Sequence, residues 1–180
     1  MKKRYWLLIC VVLTTIIIFQ FTQKQSQEGN LRFVETIAFT NNIDQSAFLL
    51  ENMSNALLMY ENNFNEGETM LLQQLVQNNL VQLDFNISTI RTFEATFHDT
   101  HHLADVLFDS EVNPGIINTL LNNPEQEFTE NLALIFSDTK VELNKINPYR
   151  SKSFSASTYE DLSNIFHLMH EKILDLIEKE

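Results

Sequence analysis

The sequence predicts an all-α fold: an N-terminal transmembrane helix followed by an antiparallel four-helix-bundle-like domain. Three observations carry this expectation. Apolar residues recur at steps of four and three through most of the 180 residues, the mark of helices with one buried face. No run alternates with period two for long enough to read as a strand. Helix-start signals stand at Asn123-Pro124-Glu125 and at Ser157-Thr158-Tyr159-Glu160, where capping side chains and early acids meet the unpaired N–H groups of a first turn.

The elements follow in chain order. Residues 1–4 form a basic cap, with Lys2, Lys3 and Arg4. Residues 5–21 are almost uninterruptedly apolar, with only Thr14, Thr15 and Gln20 clearly polar. At about 1.5 Å per residue they span about 26 Å, the short end of a transmembrane helix. No small-residue cleavage site follows them, so they read as an uncleaved signal anchor rather than a signal peptide. The preceding basic residues put the N-terminus in the cytoplasm and the rest of the chain outside, as a single-pass cell-membrane protein. Residues 22–30 are Gln/Ser-rich, contain Gly29, and read as a polar linker.

Residues 31–180 then read as the extracytoplasmic bundle. In the first helix, about 31–63, Thr36, Thr40, Ile43, Ala47, Leu50, Ser54 and Leu57 step by four and three. Phe33, Ile37, Phe48 and Met59 are expected to widen that stripe. Gly67 marks the following turn. The second helix, from Glu66 or Glu68, places Leu72, Val76, Leu83, Ile87, Ile90 and Phe97 on one face. It ends at Phe97 or runs on to about residue 110, because Asp99 and Thr100 are able to cap a new segment. Asn113-Pro114-Gly115 reads as a stop, followed by a short helical piece from Ile116 to Leu121. The third principal helix, 124–146, buries Phe128, Leu132, Ile135, Thr139, Leu143 and Ile146. The last, 158–178, buries Leu162, Phe166, Met169, Ile173 and Leu176. A domain of about 150 residues buries close to 70% of its unfolded surface and needs no covalent staples.

Composition excludes several function classes. The three glycines, Gly29, Gly67 and Gly115, cannot build a dinucleotide fingerprint, a phosphate loop or a nucleophile elbow. The single Cys10 rules out a disulfide framework and a cysteine zinc ribbon. Twelve basic residues stand against 24 acidic ones, for a net charge of −12. Residues 31–180 hold eight of the basic and 23 of the acidic residues, a net of −15. Nucleic acid is therefore not an expected partner, since phosphate binding needs clustered Lys and Arg. No cofactor motif is present.

The five histidines fall in two clusters, His98, His101 and His102, then His167 and His170. On a continuous helix His98 and His102 share a face, and with Asp105 or Glu94 they form a candidate metal site. In a regular bundle the two clusters lie roughly 15–20 Å apart along the axis, too far for one shared metal. The paired acids Glu125/Glu127 and Glu160/Asp161 sit at helix starts, where the helix dipole explains them.

The expected function is a membrane-tethered, non-enzymatic bundle. It meets the membrane through residues 5–21 and binds another envelope protein, a ligand or a further copy of itself. Its architecture is similar to the outer four-helix sensor domains of bacterial chemoreceptors and kinases, a likeness of architecture without a shared motif. Two alternatives are a metal-binding bundle or metal-dependent enzyme using His98 and His102, and a membrane-associated inhibitor or immunity-type protein.

Overall fold

A computed structural model describes the backbone of residues 2–60, 64–104, 106, 112–122, 125–146 and 155–179, without the side chains of 2–13, 15, 121 and 156. Among the described residues there are five α-helices and no strand. They are α1 (Lys2–Leu58), α2 (Glu66–Phe97), α3 (Val112–Leu121), α4 (Gln126–Ile146) and α5 (Ala156–Ile177). The chain divides into two units, Met1–Ile37 and Ala38–Glu180. The all-α expectation holds, and the second unit is a helical bundle around one core.

In the first unit helix covers residues 22–30, the expected linker. Gln, Lys and Glu are good helix formers, and one interior glycine costs only about 1 kcal/mol. Lys24 and Glu28, one turn apart, add an exposed ion pair at 3.9 Å. Such a pair contributes at most a few tenths of a kcal/mol.

The single-pass membrane location is corrected here. Among the described residues no helix is long and apolar enough to cross a membrane. The described side chains of the apolar stretch run from Ile16 to Phe21 and give way to Thr22-Gln23-Lys24-Gln25. A bilayer core of about 30 Å needs about 20 consecutive apolar residues, and the described residues hold no such run. The side chains of residues 1–13 and of Thr15, which hold the basic cap and most of the expected anchor, lie outside the described residues.

In the second unit the periodic positions are where the core sits. Ile43, Ala47, Leu50 and Leu57 of α1 are buried, as are Leu72, Val76, Leu83, Ile87 and Ile90 of α2. Phe128, Leu132 and Leu143 of α4 join them, with Leu162, Phe166, Met169 and Ile173 of α5. Phe39 and Tyr159 meet edge to face at 5.3 Å between α1 and α5, a favoured aromatic geometry. The expected second row of α1 is wrong for this unit. Phe48 and Met59 are exposed, and the core is widened instead by Phe39 and Met53. Phe48 lies five residues past Ile43, about 140° around the helix, so the two rows cannot share a face.

Buried polar groups fix which helices meet. Ser54 of α1 donates to the Ala133 carbonyl of α4 at 2.8 Å. Asn86 of α2 donates to the Ser46 hydroxyl of α1 at 3.4 Å. At the edge of the same contact the half-exposed Lys140 of α4 pairs with the half-exposed Glu51 of α1 at 2.5 Å. Helix α3 packs on α2 and α5. The close approach occurs at Gly115, where a Cβ would lie 2.7 Å from the Ile177 side-chain terminus.

Caps set the helix starts. Asn65 accepts from the Glu68 N–H at 3.0 Å, and its own N–H donates to the Glu68 carboxylate at 2.8 Å. This reciprocal box satisfies two of the orphan donors of the first turn. The box of α5 sits two residues earlier than its spacing suggested, with the Ser155 N–H donating to the Thr158 hydroxyl at 3.2 Å. Asn113-Pro114-Gly115 is not a stop but the first turn of α3. Pro114 is tolerated there because first-turn N–H groups have no intrahelical partner. The Asn123-Pro124 start lies outside the described residues; α4 is regular from Gln126.

Candidate functional site

Two features of the bundle bear on function: the histidine-bearing segment after α2, and the outer face of α2.

Helix α2 ends at Phe97, and the His98 N–H closes its last turn on the Glu94 carbonyl at 3.0 Å. Asp99 then takes a left-handed conformation, φ 52°, which Asp tolerates better than most side chains. The chain folds back so that Leu103 and Val106 enter the core, 0% and 3% exposed. A buried irregular segment must find partners for its backbone polar groups. Two charged residues of α2 supply them. The Glu94 carboxylate, itself 0% exposed, accepts from the Thr100 hydroxyl at 3.0 Å, the His102 N–H at 2.7 Å and the Leu103 N–H at 3.0 Å. The Arg91 guanidinium donates to the Leu103 carbonyl at 2.9 Å and the Val106 carbonyl at 2.7 Å. From α5, Ser163 donates to the His102 carbonyl at 2.6 Å, and the Tyr159 ring lies 5.2 Å from the His98 ring.

This arrangement bears directly on the metal candidates. His98 caps a helix and His102 lies beyond a left-handed turn, so the two do not share a helical face. Glu94, the nearest buried acid, has its oxygens engaged by the loop. Asp105 lies outside the described residues. Among the described residues no group of three or more His, Cys, Asp or Glu side chains is placed to hold a metal ion. The two histidine clusters are closer than a regular bundle implies, since His102 contacts Ser163, only one turn before His167. The early end of α2 is what shortens that separation.

The outer face of α2 was not singled out by periodicity, because its residues fill the positions left over from the core. Met70, Leu71, Leu75, Val81 and Phe85 are all exposed there, Phe85 at 64%. The other exposed residues between Met70 and Thr92 are Gln, Asn, Ser and Thr, and none is charged. Three threonines further reduce the polarity of this helix. The hydroxyls of Thr89, Thr92 and Thr96 donate to the carbonyls four residues earlier, at 2.9, 2.9 and 2.7 Å. Their methyl groups remain to meet solvent or a partner. The outer faces of α4 and α5 differ: Glu127, Glu130, Asp138, Asp161, Glu171 and Asp175 are exposed on them. Beside Val81, Gln77, Asn113, Ile117 and Asn118 line a shallow cleft of about 210 Å³ between α2 and α3.

Comparison with known proteins adds no relative: no family model, curated protein or solved structure matches the chain.

Proposed function

We propose that this protein is a non-enzymatic helical bundle that binds a protein partner through the outer face of α2. The observation that carries the proposal is the absence of charge from the exposed positions between Met70 and Thr92. A chain of net charge −12 gains solubility by covering its surface with acids. A helix face more than 30 Å long that omits charge and exposes Met, Leu, Val and Phe forgoes that gain. Depletion of charge with enrichment in Phe and Met is the composition of an interface core. The non-enzymatic part of the proposal draws support from the commitment of Glu94 and Arg91 to backbone groups of the loop.

Site-specific photo-crosslinking in the native cell tests this. A photoreactive residue at Val81 should give a discrete protein adduct, while one at Leu168 of α5, also exposed, should not. No adduct at Val81, or matching adducts at both positions, refutes the α2 assignment.

A further inference from the structure

We infer that the partner seats a tyrosine side chain in the cleft between α2 and α3. The inference rests on the reading of α2 as a binding face and names the group that anchors the partner there.

The cleft opens beside Val81, at the edge of the uncharged face. Leu80, only 2% exposed, gives it an apolar lining together with Val81, Pro114 and Ile117. Its polar groups are three amides, those of Gln77, Asn113 and Asn118, and no charged residue lines it. At about 210 Å³ it is smaller than the roughly 300–1,000 Å³ of sites that enclose a free small molecule. A cleft of that size suits one inserted side chain, as at the anchor of an interface.

A second observation says what that side chain must carry. The Asn113 Oδ1 is buried and accepts no hydrogen bond, the only such side-chain atom among the described residues. A buried acceptor left unmet bears a desolvation penalty that nothing in the fold offsets. Asn113 lines the cleft, and the torsion of an amide about its Cβ–Cγ bond is broad. The oxygen can therefore turn to a donor that enters.

The lining selects the donor. Lysine and arginine would enter with no carboxylate to meet them, and an unpaired buried charge is costly. Serine and threonine carry a donor but leave the apolar walls uncovered. The indole of tryptophan only donates, whereas the amides of Gln77 and Asn118 also present N–H groups that call for an acceptor. A phenol answers both demands. Its O–H donates to the Asn113 Oδ1, its oxygen accepts from a neighbouring amide, and its ring covers Leu80, Val81 and Ile117.

The cleft between α4 and α5 is a control within the same molecule. It has the same volume, about 210 Å³, but Asp138, Glu142 and Lys172 line it, and none of its lining residues holds an unmet buried acceptor.

NMR titration of the full chain with N-acetyltyrosinamide and with N-acetylphenylalaninamide tests the inference, together with the photo-crosslink at Val81. The tyrosine probe should shift the Asn113 side-chain amide and the Val81 and Ile117 methyl signals, saturating at millimolar concentration. The phenylalanine probe should bind about fivefold more weakly, because it leaves the acceptor unmet. The Leu168 methyl signals, beside the control cleft, should stay in place. Asn113→Leu should make the two probes equal and lower the yield of the Val81 adduct by about fivefold or more. It should not lower the midpoint of thermal unfolding, since it removes a group that has no partner. Asn118→Trp, at an exposed position of the rim, should plug the cleft and block both probes. No shift with either probe, equal affinity of the two for the unsubstituted chain, shifts at Leu168 as large as at Val81, or a lower midpoint in Asn113→Leu overturns the inference. A Val81 adduct of undiminished yield in both variants also overturns it, and leaves the α2 face as a binding surface held by other contacts. No adduct at Val81 in the otherwise unsubstituted chain overturns both.

Discussion

Replacing Glu94 by glutamine probes the segment that carries three of the five histidines. The carboxylate has two oxygens and three donors aimed at them. An amide has one oxygen. Placed where Oε1 lies, it keeps the Thr100 hydroxyl and the His102 N–H, and turns its NH2 toward the buried Leu103 N–H. A hydrogen bond to a charged group contributes about 1.5–3 kcal/mol, and a stranded buried donor costs about 1–3 kcal/mol. Against this, the variant no longer buries a charge, which returns part of the desolvation cost. The net loss should therefore lie near the low end of the sum, about 2 kcal/mol. For a domain of about 150 residues that lowers the midpoint of thermal unfolding by about 4–8 °C. Calorimetry reads the midpoint, and hydrogen exchange reads the site, since the Leu103 and His102 amides should lose protection while Leu80 and Leu83 keep theirs. A shift under about 1 °C with unchanged exchange at Leu103 would refute the assignment of Glu94 as the loop anchor.

The other expectations are smaller or more local. Arg91→Met removes both donors to the Leu103 and Val106 carbonyls and should cost about 2 kcal/mol in urea unfolding, with the loss again localised by exchange to the loop. Asn65→Ala breaks the capping box of α2 and should cost about 1 kcal/mol, while Asn65→Asp should be close to neutral. Gly115→Ala drives a Cβ into the end of the Ile177 side chain. That terminus can rotate away, and alanine favours the helix by about 1 kcal/mol, so the measured change should stay within about 1 kcal/mol of zero. Zinc titrated into the full chain at micromolar concentration should produce no binding heat abolished by His98→Ala with His102→Ala; a heat lost in that variant would revive the metal site.

The helices and most of their inner faces were legible because a helix of 3.6 residues per turn writes its buried side into a local pattern. Leu72, Val76, Leu83, Ile87 and Ile90 could be read as one face without knowing what they pack against. Phe48 and Met59 were misread for the complementary reason: hydrophobicity alone does not say which side of the helix a residue occupies once the stripe is drawn too wide. Asn113-Pro114-Gly115 was misread as a stop because its residues suit turns and first turns alike, and the packing of α3 on α2 and α5 selects the first turn.

The candidate site shows the same division more sharply. The sequence by itself determined that α2 ends or continues near His98-Asp99-Thr100, that the chain is acidic, and that glycine-dependent phosphate sites are absent. Each depends on residue identity or on neighbours within a turn. Only the tertiary structure decided that the chain turns at Asp99, that Glu94 is spent on the returning loop, and that His102 comes to rest against Ser163. Those contacts join residues 8, 9 and 61 positions apart. No local periodicity encodes separations of that kind, because they are set by where buried backbone groups must find partners. The uncharged face of α2 lies between the two cases. Its residues were plain in the sequence, but their shared exposure became visible only when the opposite side was buried.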